Sequence, residues 1–209
     1  MKVAVLGGTG SFGRALAHQL VARGEDDVVI GSRDEARARE TARELGGRAS
    51  GATNEDAVRG VDLAVLAVKA DGALDTVRAI ADVLGDTPLL SVASAIHVRK
   101  GEGAFPDVEA RSLAERIQDV VRAPVAAGLH SIAAASLDHE PPHEDALICG
   151  DDDRAKQLAL ELAAKLVAGR ALDAGPLASA RALEGLTAVI VNLNRRYKVH
   201  AGIRVSGLE

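Results

Sequence analysis

Aromatic side chains are almost missing from this chain. Of its 209 residues only Phe12, Phe105 and Tyr197 are aromatic, and there is no tryptophan. Any planar cofactor is therefore expected to rest on aliphatic groups and backbone rather than on stacked rings. Cysteine is scarcer still: Cys149 stands alone, which excludes a disulfide framework and a CxxC redox pair. It follows Ala146-Leu-Ile in a strand-like run and is expected to be buried and inert. No basic block is present; 25 Lys and Arg stand against 30 Asp and Glu, for a formal charge of −5. Nucleic acid is not an expected partner. No uninterrupted apolar run is long enough to span a membrane, and Met1 leads straight into a strand-like segment rather than a signal peptide. The expectation is a cytoplasmic, soluble enzyme. Apolar residues make up 47% of the chain, enough for one large domain or one plus a small one.

What is present is concentrated in the first 33 residues. The apolar run Lys2-Val-Ala-Val-Leu6 meets Gly7-Gly-Thr-Gly-Ser-Phe-Gly13, then a helical stretch over 14–23 and a second apolar run, Val28-Val-Ile30, ending in Gly31-Ser32-Arg33. Strand, glycine turn, helix, strand is the opening of a dinucleotide-binding unit. Gly8 is expected to let the turn fold tightly, Gly10 to let a pyrophosphate reach the backbone, and Gly13 to let the helix pack against the strand. Thr9, Ser11 and Phe12 complete the cofactor-binding turn. The end of the second strand names the nucleotide. An NAD site usually carries Asp or Glu there to accept from the ribose 2′-OH; this chain has Ser32 and Arg33, with Arg37 one helical turn on. A carboxylate would repel a 2′-phosphate, whereas a guanidinium grips it through a charge-assisted fork. The cofactor is therefore expected to be NADP. Asp34 reads as the N-cap of the next helix.

Further along, 34–45 reads as a helix ended by Gly46 and Gly47, 48–50 as a short strand, and Thr53 as the cap of a short helix. Residues 62–68 form a buried strand whose carboxyl end puts Val68, Lys69 and Ala70 in the ligand crevice. Lys69 there either touches a phosphate or substrate acid or is simply solvated. A helix over 73–84 and a strand over 88–93 follow, with Ala93 at the strand's mouth. Residues 97–107 read as a loop, 112–121 as a helix, and 127–133 as a strand carrying His130. That histidine either assists catalysis by donating or shuttling a proton or is a satisfied structural residue. His139, Glu140, His143, Glu144 and Asp145 look superficially like metal ligands, but they lie in a surface-linker pattern without HExxH spacing, and no metal is expected. A strand at 146–149, a helix over 154–167 opened by Asp151-Asp-Asp153, and a largely apolar helix over 177–194 close the chain. That last helix wants covering on most sides, which a homodimer would supply. The fold class expected is α/β, a Rossmann-type parallel sheet with helices on both faces and a small, mainly helical α/β carboxyl-terminal domain.

Ile148-Cys-Gly-Asp-Asp-Asp153, Leu172-Asp-Ala-Gly-Pro-Leu177, and Ala180-Arg181 through Leu186-Thr187 together resemble the coenzyme F420-dependent NADP oxidoreductases, as do Val5-Leu-Gly-Gly-Thr-Gly10 and Val29-Ile-Gly-Ser-Arg33. The resemblance covers essentially the whole chain. It implies an NADP-binding Rossmann domain over 1–140 and a small domain over 141–209 that completes the F420 cleft and the dimer interface. It further implies reversible hydride transfer between NADP(H) and the deazaflavin of F420, a small-molecule co-substrate. Thr9, Ser32 and Arg33 would hold the 2′-phosphate. His130 matches the histidine of the family's Leu-His-Thr-Ile-Pro-Ala stretch, here Leu-His-Ser-Ile-Ala-Ala, and Arg181 and Thr187 match its Arg and Thr near the cofactors. Three departures fall in the deazaflavin pocket. The family's Ile-Pro-Trp reads Val68-Lys-Ala70, its Pro-Leu-Val-Pro reads Val92-Ala-Ser-Ala95, and its proline after His-Thr-Ile is Ala133. They keep a second reading open: an NADPH-dependent reductase of a different flavin or of a small imine or carbonyl acceptor.

The Arg33 argument has a direct test. Arg33→Ala is expected to raise KM for NADPH much more than KM for NADH in steady-state assays, and equal losses with the two nucleotides would refute it.

Overall fold

The computed structural model describes residues 1–137 and 140–208; His139 lies outside them. Strand β1 (Lys2–Leu6) leads through helix α1 (Ser11–Arg23) to β2 (Asp27–Ser32), and α2 (Glu35–Leu45) leads on to β3 (Ala49–Thr53). Then come α3 (Asn54–Ala57), β4 (Leu63–Leu66), α4 (Ala70–Leu84) and β5 (Leu89–Ser91). A hairpin of β6 (Ile96–Arg99) and β7 (Gly103–Pro106) precedes α5 (Leu113–Gln118) and β8 (Val125–Gly128). The chain ends with β9 (Ala146–Gly150), α6 (Asp153–Leu166), β10 (Ala171–Asp173) and α7 (Ala180–Tyr197).

Eight strands form one sheet in the order β10-β9-β8-β5-β4-β1-β2-β3. Alternation along β1 explains why both faces are covered. Val3 and Val5 pack with Leu16 and Leu20 of α1 and Leu162 and Leu166 of α6; Ala4 and Leu6 pack with Val77 and Ile80 of α4 and Ile117 of α5. Each such leucine or isoleucine, fully buried, contributes on the order of 1.5–3 kcal/mol. The caps follow the sequence signals: Asp34 accepts from the Arg37 N–H, Thr53 from Asp56 and Asp152 from Ala155. Ser112 and Glu115 form a capping box on α5.

Four expectations need correction. The sheet is not parallel throughout, because β8 pairs with β9 antiparallel. Among its described residues the connection between them carries a 3₁₀ turn, Ala134–Leu137, and no crossover helix to return the chain to the same end. Strand β8 also stops at Gly128, where 127–133 reads as strand in sequence. Leu129 adopts φ 64, which turns the chain out of the ladder and leaves His130 in the turn beyond it. Residues 97–107 hold the β6–β7 hairpin instead of a bare loop. Finally, the apparent surface linker is not all surface: Asp145 is fully buried.

Asp145 holds the carboxyl-terminal tail. Its carboxylate accepts from the backbone N–H groups of Arg170 and Val205 at 3.0 and 2.8 Å and from the Arg170 guanidinium at 2.6 Å. Its own N–H donates to Ile203 at 2.7 Å. Arg170 and these N–H groups hold the carboxyl well below the usual carboxylate range. A folded carboxyl that resists protonation stabilises fully above the ordinary pKa of about 4 and loses that contribution as pH falls below it. Asp145→Asn is expected to lower Tm by roughly 6–12 °C near neutral pH. The gap between variant and parent should close as thermal melts are run at successively lower pH.

Candidate active site

Strand order reverses at β1: β2 and β3 lie to one side, β4 and β5 to the other. The crevice of such a sheet opens at the carboxyl ends flanking that point. Here those ends are the glycine turn after β1 and the Ala67-Val68-Lys69 segment after β4. Gly7 takes φ +78, and its N–H and that of Gly8 both donate to the Gly31 carbonyl, at 3.0 and 3.2 Å. The left-handed residue is thus Gly7, one position before the Gly8 expected to shape the turn. A Cβ on Gly7 would lie 2.8 Å from Val68 Cγ1, and one on Gly13 would lie 2.6 Å from the Gly7 carbonyl oxygen. The turn is therefore wedged between β4 and α1 with no room for side chains. Gly10 is the N-cap of α1; no side chain caps it and no acid stands in the first turn. The helix start is left to receive an anion.

These elements wall a cleft of about 1230 Å³. Thr9, Gly10, Ser11 and Phe12 line one side; Ser32, Arg33 and Arg37 close one end; Val68 and Lys69 face them together with Asp71, Thr76 and Ile80 of α4. Ser32 is buried, and its Oγ accepts from the Asp34 N–H at 3.2 Å, which orients the hydroxyl beneath the exposed Arg33. Lys69 is the exposed N-cap of α4, and Ala70 is the first residue of that helix. Gly8 and Gly13 are buried behind the cleft surface, and Ala70 is not among its lining residues. Asn54 and Thr76 line the cleft without a sequence signal of their own; Thr53-Asn54 carries only a capping pattern.

A second group gathers at the mouths of β5 and β8. Ala93 and His130 are buried there. Thr187 of α7 donates to the His130 carbonyl at 2.9 Å and meets the Ser94 hydroxyl at 2.7 Å. Neither ring nitrogen of His130 has a well-formed hydrogen bond. Burial pushes its pKa down to about 4, and the Ala93 backbone offsets this only in part, so the imidazole is neutral near pH 7. Arg181 sits apart, exposed, with its guanidinium donating to the Ala110 carbonyl at 3.1 Å. Glu184, one turn on, is buried and accepts from the Leu113 and Ala114 N–H groups at 3.0 Å each; burial nonetheless raises its pKa. It was not singled out in sequence, since a lone acid in an apolar helix gives no sign of its distant partners. Cys149 is fully buried, and that burial pushes its thiol up to about 12, as befits an inert packing residue. Among the described residues no three His, Cys, Asp or Glu side chains gather as metal ligands would, and no helix is long and apolar enough to cross a membrane.

The cleft thus combines an uncapped helix start with Ser32, Arg33 and Arg37, and the acids Asp34, Glu55, Asp71 and Asp75 also line it. Residues 2–95 match the family model described as NADP oxidoreductase, coenzyme F420-dependent. An F420-dependent NADP reductase of Methanothermobacter thermautotrophicus is 37% identical over 100% of this chain and 96% of its own length. One from Methanocaldococcus jannaschii is 30% identical over 100% of both chains. A crystal structure of a provisional F420-dependent NADP-reductase from Arthrobacter sp. FB24 superposes with a TM-score of 0.86 at 25% identity, covering 99% of each chain. The NADP-bound pyrroline carboxylate reductase of Plasmodium falciparum shares the fold, with a TM-score of 0.62 at 14% identity over 95% of this chain and 64% of that one. Likeness at this level from end to end means that the chain belongs to the family of F420-dependent NADP reductases, and is an NADP(H)-linked oxidoreductase enzyme.

Proposed function

We propose that the protein transfers hydride reversibly between NADP(H) and the deazaflavin coenzyme F420. The observation that carries this reading is the whole-length likeness to F420-dependent NADP reductases, joined here to a cleft lined by the glycine turn, Ser32, Arg33 and Arg37. The exposed Gly10 lines the cleft at the start of α1 with no side chain to hold a pyrophosphate off the backbone, and the close packing at Gly7 and Gly13 shapes that turn. The start of α1 would bind that group, and Ser32, Arg33 and Arg37, with Thr9, would bind the 2′-phosphate. Val68 and Lys69 would bound the nicotinamide end. When bound, the two coenzymes supply donor and acceptor ring carbons, and no protein nucleophile is required. What the chain contributes is alignment in a dry cleft. On this reading His130 neighbours the second ring; its neutral imidazole can hold one proton at a single ring nitrogen while accepting at the other. Arg181 and Thr187 would close the acceptor side from α7. Val189, Leu193 and Tyr197 stand exposed at four-residue spacing on the outer face of α7, and a second copy of the chain would cover them.

Two measurements check this. Purified protein mixed with NADPH and F420 is expected to bleach the deazaflavin's visible absorbance; turnover of FMN, an imine or a carbonyl compound with no turnover of F420 would shift the assignment to the second reading. His130→Ala is expected to lower kcat by roughly tenfold or more while the Kd for NADPH stays within about twofold. Because the folded imidazole titrates near 4, kcat of the parent should show no inflection from this ring between about pH 6 and 8. An unchanged kcat in the variant would make His130 a packing residue.

A further inference from the structure

Ser94 stands where the Pro-Leu-Val-Pro pattern of the family carries valine. It lies just past the carboxyl end of β5, where a sheet of this kind opens its crevice, and is half-buried. Its oxygen is 2.7 Å from Thr187 Oγ1, which in turn is 2.9 Å from the carbonyl oxygen of His130. Proton counting settles the direction of this chain. A carbonyl oxygen has only lone pairs, so the single hydroxyl proton of Thr187 is committed to His130. Ser94 must then donate its own proton to Thr187. A free serine hydroxyl adapts to either kind of partner; this one retains only lone pairs. Its polarity is set from the far end of the chain, 93 residues away at Thr187.

We propose that Ser94 is a specificity-determining residue of the acceptor half of the site. With its proton engaged at Thr187 it accepts without loss, and so favours a ring presenting an N–H, such as the imide of a deazaflavin pyrimidine ring, over one presenting a carbonyl or an alkylated nitrogen. The inference rests on the deazaflavin reading above and adds to it the edge of the ring that is recognised. A ring carbonyl set against Ser94 could be served only by withdrawing the Ser94 proton from Thr187, at the cost of that hydrogen bond. A valine at this position is indifferent to that choice. The hydroxyl therefore gives this chain a preference that the valine pattern does not encode.

The probes are 5-deazariboflavin and its N3-methyl derivative, titrated into the full chain loaded with NADP⁺ and followed by deazaflavin fluorescence. The parent is expected to bind the N–H form about tenfold more tightly. Ser94→Thr, which keeps the hydroxyl, should preserve that ratio. Ser94→Val, close in size to the threonine variant but without the hydroxyl, should bring the two ligands to within about twofold of each other; comparing these two variants removes bulk as an explanation. An unchanged NADP⁺ affinity in the Ser94→Val protein shows that it is folded. A Ser94→Val protein that keeps the tenfold ratio overturns the proposal, and so does one whose loss falls on NADP⁺ affinity. Either result leaves the deazaflavin reading standing. A parent that binds NADP⁺ but neither deazaflavin removes that reading, and this inference with it.

Discussion

Everything at the nucleotide end depends on how closely three pieces of backbone approach one another. The turn after β1 is held against the end of β4 on one side and the start of α1 on the other, at distances a single methyl group would violate at Gly7 and Gly13. This packing is steric and local, but its effect is electrostatic. It brings the positive end of α1 to the floor of the crevice, uncapped and free of acids. Register does the rest. Leu6 pairs with Gly31, so the chain reaches Ser32 and Arg33 one step beyond the turn. The positions of the helix start and of Arg33 at the cleft thus follow from one close contact and one strand pairing.

The acceptor end is organised in a different way. Helix α7 reaches back over the carboxyl edge of the sheet and pairs with loop backbone through successive polar side chains. Arg181 donates to Ala110, Glu184 accepts from Leu113 and Ala114, and Thr187 donates to His130. Asn192 exchanges both its amide groups with Ala104 of β7, at 2.7 and 2.8 Å. Each contact satisfies a backbone group that no ladder would otherwise serve. One rigid helix therefore sets the relative positions of the hairpin, the start of α5 and the turn holding His130. That order would suit the proposed transfer between two rings.

The two ends differ in how plainly they can be read before folding. The glycine turn, the capped helices and the Ser32-Arg33 terminus are contiguous in sequence, and each residue type has a local physical reason for its place. The acceptor group is assembled from positions 94, 130 and 187, which meet only through tertiary structure, so Ser94 looked like a mere departure from a pattern. The antiparallel step between β8 and β9 was hidden because buried apolar strands look the same in either direction. The end of β8 was hidden because a leucine in the left-handed region is uncommon and leaves no mark on the hydrophobic pattern. The β6–β7 hairpin was masked by Gly101, Gly103 and Pro106, whose composition suggests an unstructured loop although two of them shape the turn and end the strand. The amide of Asn192, far along the chain, adds a further pair of hydrogen bonds at Ala104 of β7.

Scarcity of aromatics has one more consequence, through Tyr197. With no tryptophan in the chain and this sole tyrosine 63% exposed near the end of α7, the phenol dominates the protein's own ultraviolet emission, and it sits on the outer surface rather than at the crevice. The molecule therefore carries a built-in optical label. Its signal responds to whatever comes to rest against that helix.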